Sequence, residues 1–423
     1  MSRNDTLTVT KKQFLINFFA ASIGNTFEHY DKALFALLAP FLAPVFFGNH
    51  PPLTALISTY AILFFGFISK PAGALVLGCI GDRKGRRIAL HISLIGMALT
   101  TFFTGHLPTS TKIEWIAPAL LACSRLLQNF FSSGETTGGA LLILETGKQN
   151  RSVLHNSFYE CSTILGILLA STGVIWLAMQ GTITTQWRWL YWIGGGTGGV
   201  AFFIRFFSKE THITSPPKWH MLPFIWNHRL TLVIIVITSG LSYSNYYMAT
   251  TLLNGYLPFI NSITQLETMQ LNSFILVLDF LLLPLGGLLS IYFAKEKLLL
   301  FFASSICAVA IPLYSILPIA TLVPIIIIRS IFVILGVGFS VILVPYYQDL
   351  VPKKHRYTLI SLGTAIGSQL FGNSSYLSLL LFKNIGWPGA PALYLMTIAL
   401  LTIITLIYVP NKVLPKKTVV QNN

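Results

Sequence analysis

Among the ionisable residues inside otherwise apolar stretches of this chain, the candidates for chemistry are Glu28, Asp31, Lys32, Arg125, Glu135, Asp279 and Arg329. At hydrocarbon depth such a charge costs roughly 2.5–3.5 kcal/mol, so each needs a partner or a wet cavity. Glu28 and Lys32 are spaced i,i+4 and can pair on one helix face. Glu28 and Asp31 are spaced i,i+3 and share much of that face. Two close carboxylates resist joint ionisation, which suits one of them to carrying a proton between compartments. Lys32 pulls the other way by favouring two anions, and a structural ion pair is the alternative role. The Arg125 guanidinium offers a bidentate clamp for a substrate carboxylate, or a partner for Glu28 or Asp31. Asp279 is the only acid deep in the second half and is expected to face a central cavity. Arg329 is its candidate partner; otherwise it snorkels to an interface. His29 titrates near neutral pH, but neighbours in sequence do not share a helix face, so packing or a tautomer-fixing hydrogen bond is expected. Tyr243, Tyr246, Tyr247 and Tyr256 stand near Asn245 and Asn254. Their rings could bind a quaternary ammonium, or form an aromatic belt and pack helices.

The elements that position these groups must be membrane helices. Of 423 residues, 54% are hydrophobic and only 10% charged, with 31 Phe against 13 Asp plus Glu. A soluble chain carries about 25% charged residues, so lipid is the solvent for most of this one. Apolar runs cover residues 14–46, 53–80, 88–107, 116–146, 153–179, 188–207, 230–259, 268–293, 298–318, 321–346, 358–381 and 388–409. The expected fold is an all-α membrane protein of twelve transmembrane helices in two six-helix bundles. Residues 1–207 form the first bundle, 208–229 a central loop, and 230–423 the second bundle with a short tail.

The net charge of +15 is distributed in short clusters between the runs. Clusters such as Lys11–Lys12, Arg83–Arg87, Lys295–Lys297 and Lys353–Arg356 fall on one side of the membrane. By this count roughly twenty cations oppose three, and the positive-inside bias puts both termini in the cytoplasm. No soluble basic domain exists to bind nucleic acid. No cleavable signal is expected, because about a dozen residues precede the first run and no small-residue cleavage site follows a short core. The four cysteines have no metal-ligand spacing. Gly194–Gly199 matches a dinucleotide fingerprint in letters only, since no strand precedes it. No phosphate-binding loop or hydrolase motif appears, so neither an ATP-driven pump nor an enzyme is expected.

Gly78–Arg87, GCIGDRKGRR, joins the second and third runs. Gly78 and Gly85 permit close approach and a tight turn. Asp82 can cap a helix, while Arg83, Arg86 and Arg87 can bridge to carboxylates at neighbouring helix ends, with Glu145 as the expected partner. Such a network could latch two halves and break as they rock. Its G-x-x-x-D-R-x-G-R-R spacing is the signature of the major facilitator superfamily. In the second half, Gly286–Ile291 resembles a copy in which Ile291 stands at the acidic position.

Further stretches resemble the metabolite:proton symporter family, which includes proline/betaine, α-ketoglutarate, citrate and shikimate transporters. They are Gly24-Asn25-Thr26-Phe27-Glu28-His29-Tyr30-Asp31, Phe64–Arg87, and Arg125-Leu126-Leu127-Gln128 followed by Gly134-Glu135 and Glu145. His29, Lys32, Lys70 and Asn129 depart from the usual Trp, Phe, Arg and Gly. The resemblance implies proton-coupled symport of a small polar metabolite: an organic acid, an amino acid or a zwitterionic osmolyte. A uniporter, an exchanger and a non-transporting sensor are the alternatives. The expected proton and substrate coupling residues are Glu28, Asp31, Arg125, Glu135 and Asp279; the resemblance covers the first half, and the second half, with Asp279, matches mainly in hydropathy. Asn25, Tyr30, Gln128, Tyr243, Tyr246 and Tyr247 are the expected cavity residues. The expected partners are the substrate, protons and the bilayer of a bacterial inner membrane. The protein is expected to act as a monomer, without a cofactor, driven by the proton gradient.

Overall fold

A computed structural model describes residues 11–64, 66–147, 151–206, 221–352, 356–372 and 374–409. Within them the chain is helical, and no strand occurs. The first half contains α1 (Lys11–Phe47), α2 (Pro52–Phe64), α3 (Gly66–Lys84), α4 (Arg86–Thr104), α5 (Ser110–Ile113), α6 (Ile116–Ser132), α7 (Glu135–Thr146), α8 (Ser152–Met179) and α9 (Ile183–Phe206). The second contains α10 (Met221–Asn227), α11 (Arg229–Tyr247), α12 (Leu253–Ile260), α13 (Gln265–Leu289), α14 (Lys295–Ile316), α15 (Leu322–Leu350), α16 (Arg356–Leu370), α17 (Ser374–Ile385) and α18 (Ala390–Tyr408). Seven described helices are long and apolar enough to cross a membrane by length and composition alone. The other apolar runs are helical too, several of them as two consecutive helices: α6 and α7 meet at a turn over Ser133–Gly134, and α16 ends at Leu370, before a turn at Phe371.

Large apolar side chains cover the outer surface, among them Phe103, Leu169, Phe203, Leu281 and Ile327. With the backbone bonded inside helices, this is how a chain exposes itself to hydrocarbon. Trp115 and Trp226, both exposed, lie at helix ends, where an indole can hydrogen-bond at the membrane interface. The protein is an integral, multi-pass membrane protein.

The halves meet where α8 packs on α13 and α3 on α16. Small residues allow this. A Cβ on Gly78 would come within 3.3 Å of the Thr358 backbone. Gly85, between α3 and α4, has φ 104°, a conformation that only glycine adopts without strain. Gly78 and Gly85 of the basic motif therefore act as their spacing predicts. Asp82, Arg86 and Arg87 lie outside the described side chains. Arg83 and Glu145 are both exposed. On the same side of the second half, Lys295 pairs with Asp349 at 2.6 Å, joining the start of α14 to the end of α15. That exposed pair is worth at most about 1 kcal/mol.

Candidate functional site

α1 carries two polar stripes, because successive residues turn by 100° about a helix axis. His29, Lys32, Ala33 and Ala36 face a central cavity of ≈ 200 Å³. Asp31 and Phe35 face away from it, toward Arg125. Glu28 lies between the stripes and pairs with Lys32, as the i,i+4 spacing predicts. His29 Nδ1 donates to the Asn25 carbonyl at 3.0 Å. A carbonyl can only accept, so Nδ1 carries the hydrogen and Nε2 is the ring atom left for the cavity.

Both halves build this cavity. α3 contributes Lys70, α8 contributes Glu160 and Thr163, α11 contributes Tyr243, Tyr246 and Tyr247, and α13 contributes Asn272 and Asp279. Lys70 is 8% exposed; it donates to Ser368 Oγ at 2.8 Å across the halves and lies 5.2 Å from the Tyr243 ring centre. The cations come from α1 and α3, and the carboxylates from α8 and α13. A π-helical segment, Met248–Leu252, interrupts the span of α11 and α12, and its residues Ala249, Thr250 and Thr251 reach the cavity. Such segments recur at functional sites because they release backbone groups from the regular ladder.

Several expected positions require correction. Asn25, Tyr30 and Gln128 do not line this cavity. Asn25 Nδ2 donates to Ser162 and Thr163, tying α1 to α8. Tyr30 donates to the Leu190 carbonyl, and Gln128 donates to Thr101. Each is used for helix packing, which their residue types alone could not reveal. Asp31, Arg125 and Glu135 are buried but lie outside the cavity lining. Arg125 donates to Thr104 Oγ1 at 3.0 Å and stacks near Phe35 and Tyr191. Its charge lies within electrostatic reach of Asp31. Arg329 is neither Asp279's partner nor an interfacial snorkel. It is 0% exposed and donates to the carbonyls of Ala249 and Thr268 and to Asn272 Oδ1. It thereby holds the π segment against α13. Tyr256 donates to the Pro388 carbonyl.

Lys70 and Glu160 were missed as site residues. Both are charges inside predicted spans, and that signal was available. Their approach to one cavity from two helices was not.

Contacts between the halves flank the cavity on both sides. On the side of the Gly85 turn, the Tyr357 hydroxyl donates to the Gly134 carbonyl at 2.6 Å. On the opposite side, Tyr60 donates to Thr251 and Ser171 meets Ser273 at 2.7 Å. Tyr357→Phe is expected to lose about 1 kcal/mol at the first contact. Hydrogen exchange should then quicken in residues 134–146 and 356–370, and unchanged exchange would show that this contact holds nothing closed.

The chain matches the profile of the Major Facilitator Superfamily over residues 15–372. The chain belongs to the Major Facilitator Superfamily. This facilitator is 25% identical to the proline/betaine transporter of Salmonella typhimurium over 411 residues, covering 91% of this chain and 81% of that protein. It is 23% identical to the citrate-proton symporter of Klebsiella pneumoniae, over 91% of this chain and 89% of that one. Its fold superposes on the crystal structure of a D-xylose-proton symporter with a TM-score of 0.72, at 14% identity, over 94% and 98% of the two chains. The facilitator is a transporter rather than an enzyme, and within the superfamily its similarity is to metabolite:proton symporters.

Proposed function

We propose that the protein couples proton movement to uptake of a small polar metabolite by alternating access. In this reading twelve transmembrane helices form two six-helix bundles, residues 1–207 and 230–423, joined by residues 208–229. The bundles rock about the central cavity in a bacterial inner membrane, with both termini in the cytoplasm. One observation carries the reading: ionisable side chains of both halves line one cavity between them, Lys32, Lys70 and Glu160 from the first half and Asp279 from the second. A cavity made by both halves changes shape when they move, so a bound charge feels the motion. Its size and polarity suit a small molecule with a carboxylate, an amine or both, and the tyrosines supply an aromatic face. Relatives named for proline, betaine and citrate support the same range. In this reading Glu28, Asp31, Arg125 and Glu135 carry coupling from behind the cavity wall, while Asp279 acts inside it.

Purified protein in proteoliposomes would be given labelled proline, glycine betaine, α-ketoglutarate, citrate or shikimate, with and without an inward proton gradient. Accumulation of one compound only with the gradient is the expected result. Equilibration that ignores the gradient would replace the reading by a uniporter or exchanger. Binding without any uptake would replace it by a sensor.

A further inference from the structure

α8 and α13 cross the boundary between the halves side by side, running in opposite directions. Ser171 meets Ser273, the Cys161 thiol donates to the Phe280 carbonyl at 3.8 Å, and Gly287 lies against Ser157. That register brings Glu160 of one half and Asp279 of the other to similar depth in the same cavity wall. Asp279 is 4% exposed, and no described side chain forms a hydrogen bond or ion pair with it. Glu160 accepts a hydrogen bond from Thr163 Oγ1 at 3.2 Å on its own helix. The cations facing the cavity are engaged elsewhere: Lys32 pairs with Glu28, and Lys70 donates to Ser368. The other titratable groups facing the pair are Glu28 and His29 of α1, Tyr243 and Tyr246 of α11, and Cys161 of α8, and none of them supplies a cation to either carboxylate.

We propose that Glu160 and Asp279 hold one proton between them, and that this proton is the one moved with substrate. The proposal rests on the proton-coupled reading above. Two facing carboxylates without a cation resist double ionisation, and a single shared proton converts repulsion into an O–H···O⁻ bond. Because one carboxylate belongs to each half, the proton holds α8 to α13. Its loss leaves two like charges at the boundary and favours parting. The proton enters from water on one side, resides on the pair, and leaves to water on the other. No other reactant is required.

The test uses full-length protein carrying Glu160→Gln or Asp279→Asn, which replace each acid by a neutral group of its own shape. Infrared difference spectra over a pH titration report protonated carboxyl groups directly and need no substrate. The expected result is one carboxyl band lost in either variant. In proteoliposomes, gradient-driven accumulation of labelled glycine betaine or proline should fall to background in either variant. A band unchanged in both variants, or full accumulation in either one, overturns the proposal. If wild-type protein shows no gradient-driven uptake of any compound, the symport reading fails and the proton is not moved with substrate. The infrared band separates that failure from the absence of a shared proton.

Discussion

Arg125→Gln is expected to abolish gradient-driven accumulation, and Asp31→Asn to do the same, while both proteins still insert. Asp31 is 3% exposed and neither of its oxygens makes a hydrogen bond; Arg125 is 2% exposed, with Nε likewise unbonded. No direct ion pair joins them: Arg125 donates to Thr104 and lies against Phe35 and Tyr191, so each charge offsets the other only at a distance. Neutralising one leaves the other buried with less compensation, which lowers the folded yield of either single variant. The lost folded yield can be separated from lost coupling with the double variant, Asp31→Asn with Arg125→Gln, which leaves no orphaned charge. It should recover detergent-stable protein but not accumulation. Normal accumulation in both single variants would remove Asp31 and Arg125 from the coupling machinery and leave them as packing residues.

Gly166→Val is expected to prevent folding of the first half. Gly166 lies on α8 where α1 crosses it, and a Cβ there would stand 2.1 Å from the Thr26 carbonyl oxygen and 2.9 Å from the Tyr30 amide nitrogen. Both neighbours are backbone, so no side chain can turn aside. Even Gly166→Ala must separate the helices, at about 1–3 kcal/mol for overpacking. The bulkier valine would also disrupt the Asn25 bonds to Ser162 and Thr163 on the same crossing. Size-exclusion chromatography of detergent-solubilised protein checks this. A monodisperse, thermally unaltered Gly166→Val protein would show that the α1–α8 contact is looser than these distances.

Much of the architecture was legible in the sequence because membrane insertion is governed by local quantities. A run of about 20 apolar residues is a helix in lipid whatever its neighbours do, since an unbonded backbone there costs several kcal/mol. The Glu28–Lys32 pair is equally local, four residues apart on one helix. So is the Gly85 turn, which needs a positive φ between two helices. Arg329 shows the limit of that reasoning. Its charge inside an apolar run marked it as important, but its acceptors lie on α13 and the π segment, 57–80 residues away.

The sequence by itself determined that the chain is a membrane-embedded helical protein with charges at depth, and its motifs pointed to a facilitator. Only the tertiary structure decided which charges share a cavity. Glu28 and Asp31 read as one coupling site, yet of the ionisable groups described on that helix Lys32 and His29 reach the cavity lining, and Asp31 turns toward Arg125. Lys70, Glu160 and Asp279 come together from three helices in two halves of the chain. The physical reason is rotational. Hydropathy specifies that a helix spans the membrane, but the face it turns inward is set by close packing at sites such as Gly78 against Thr358 and Gly166 against Thr26.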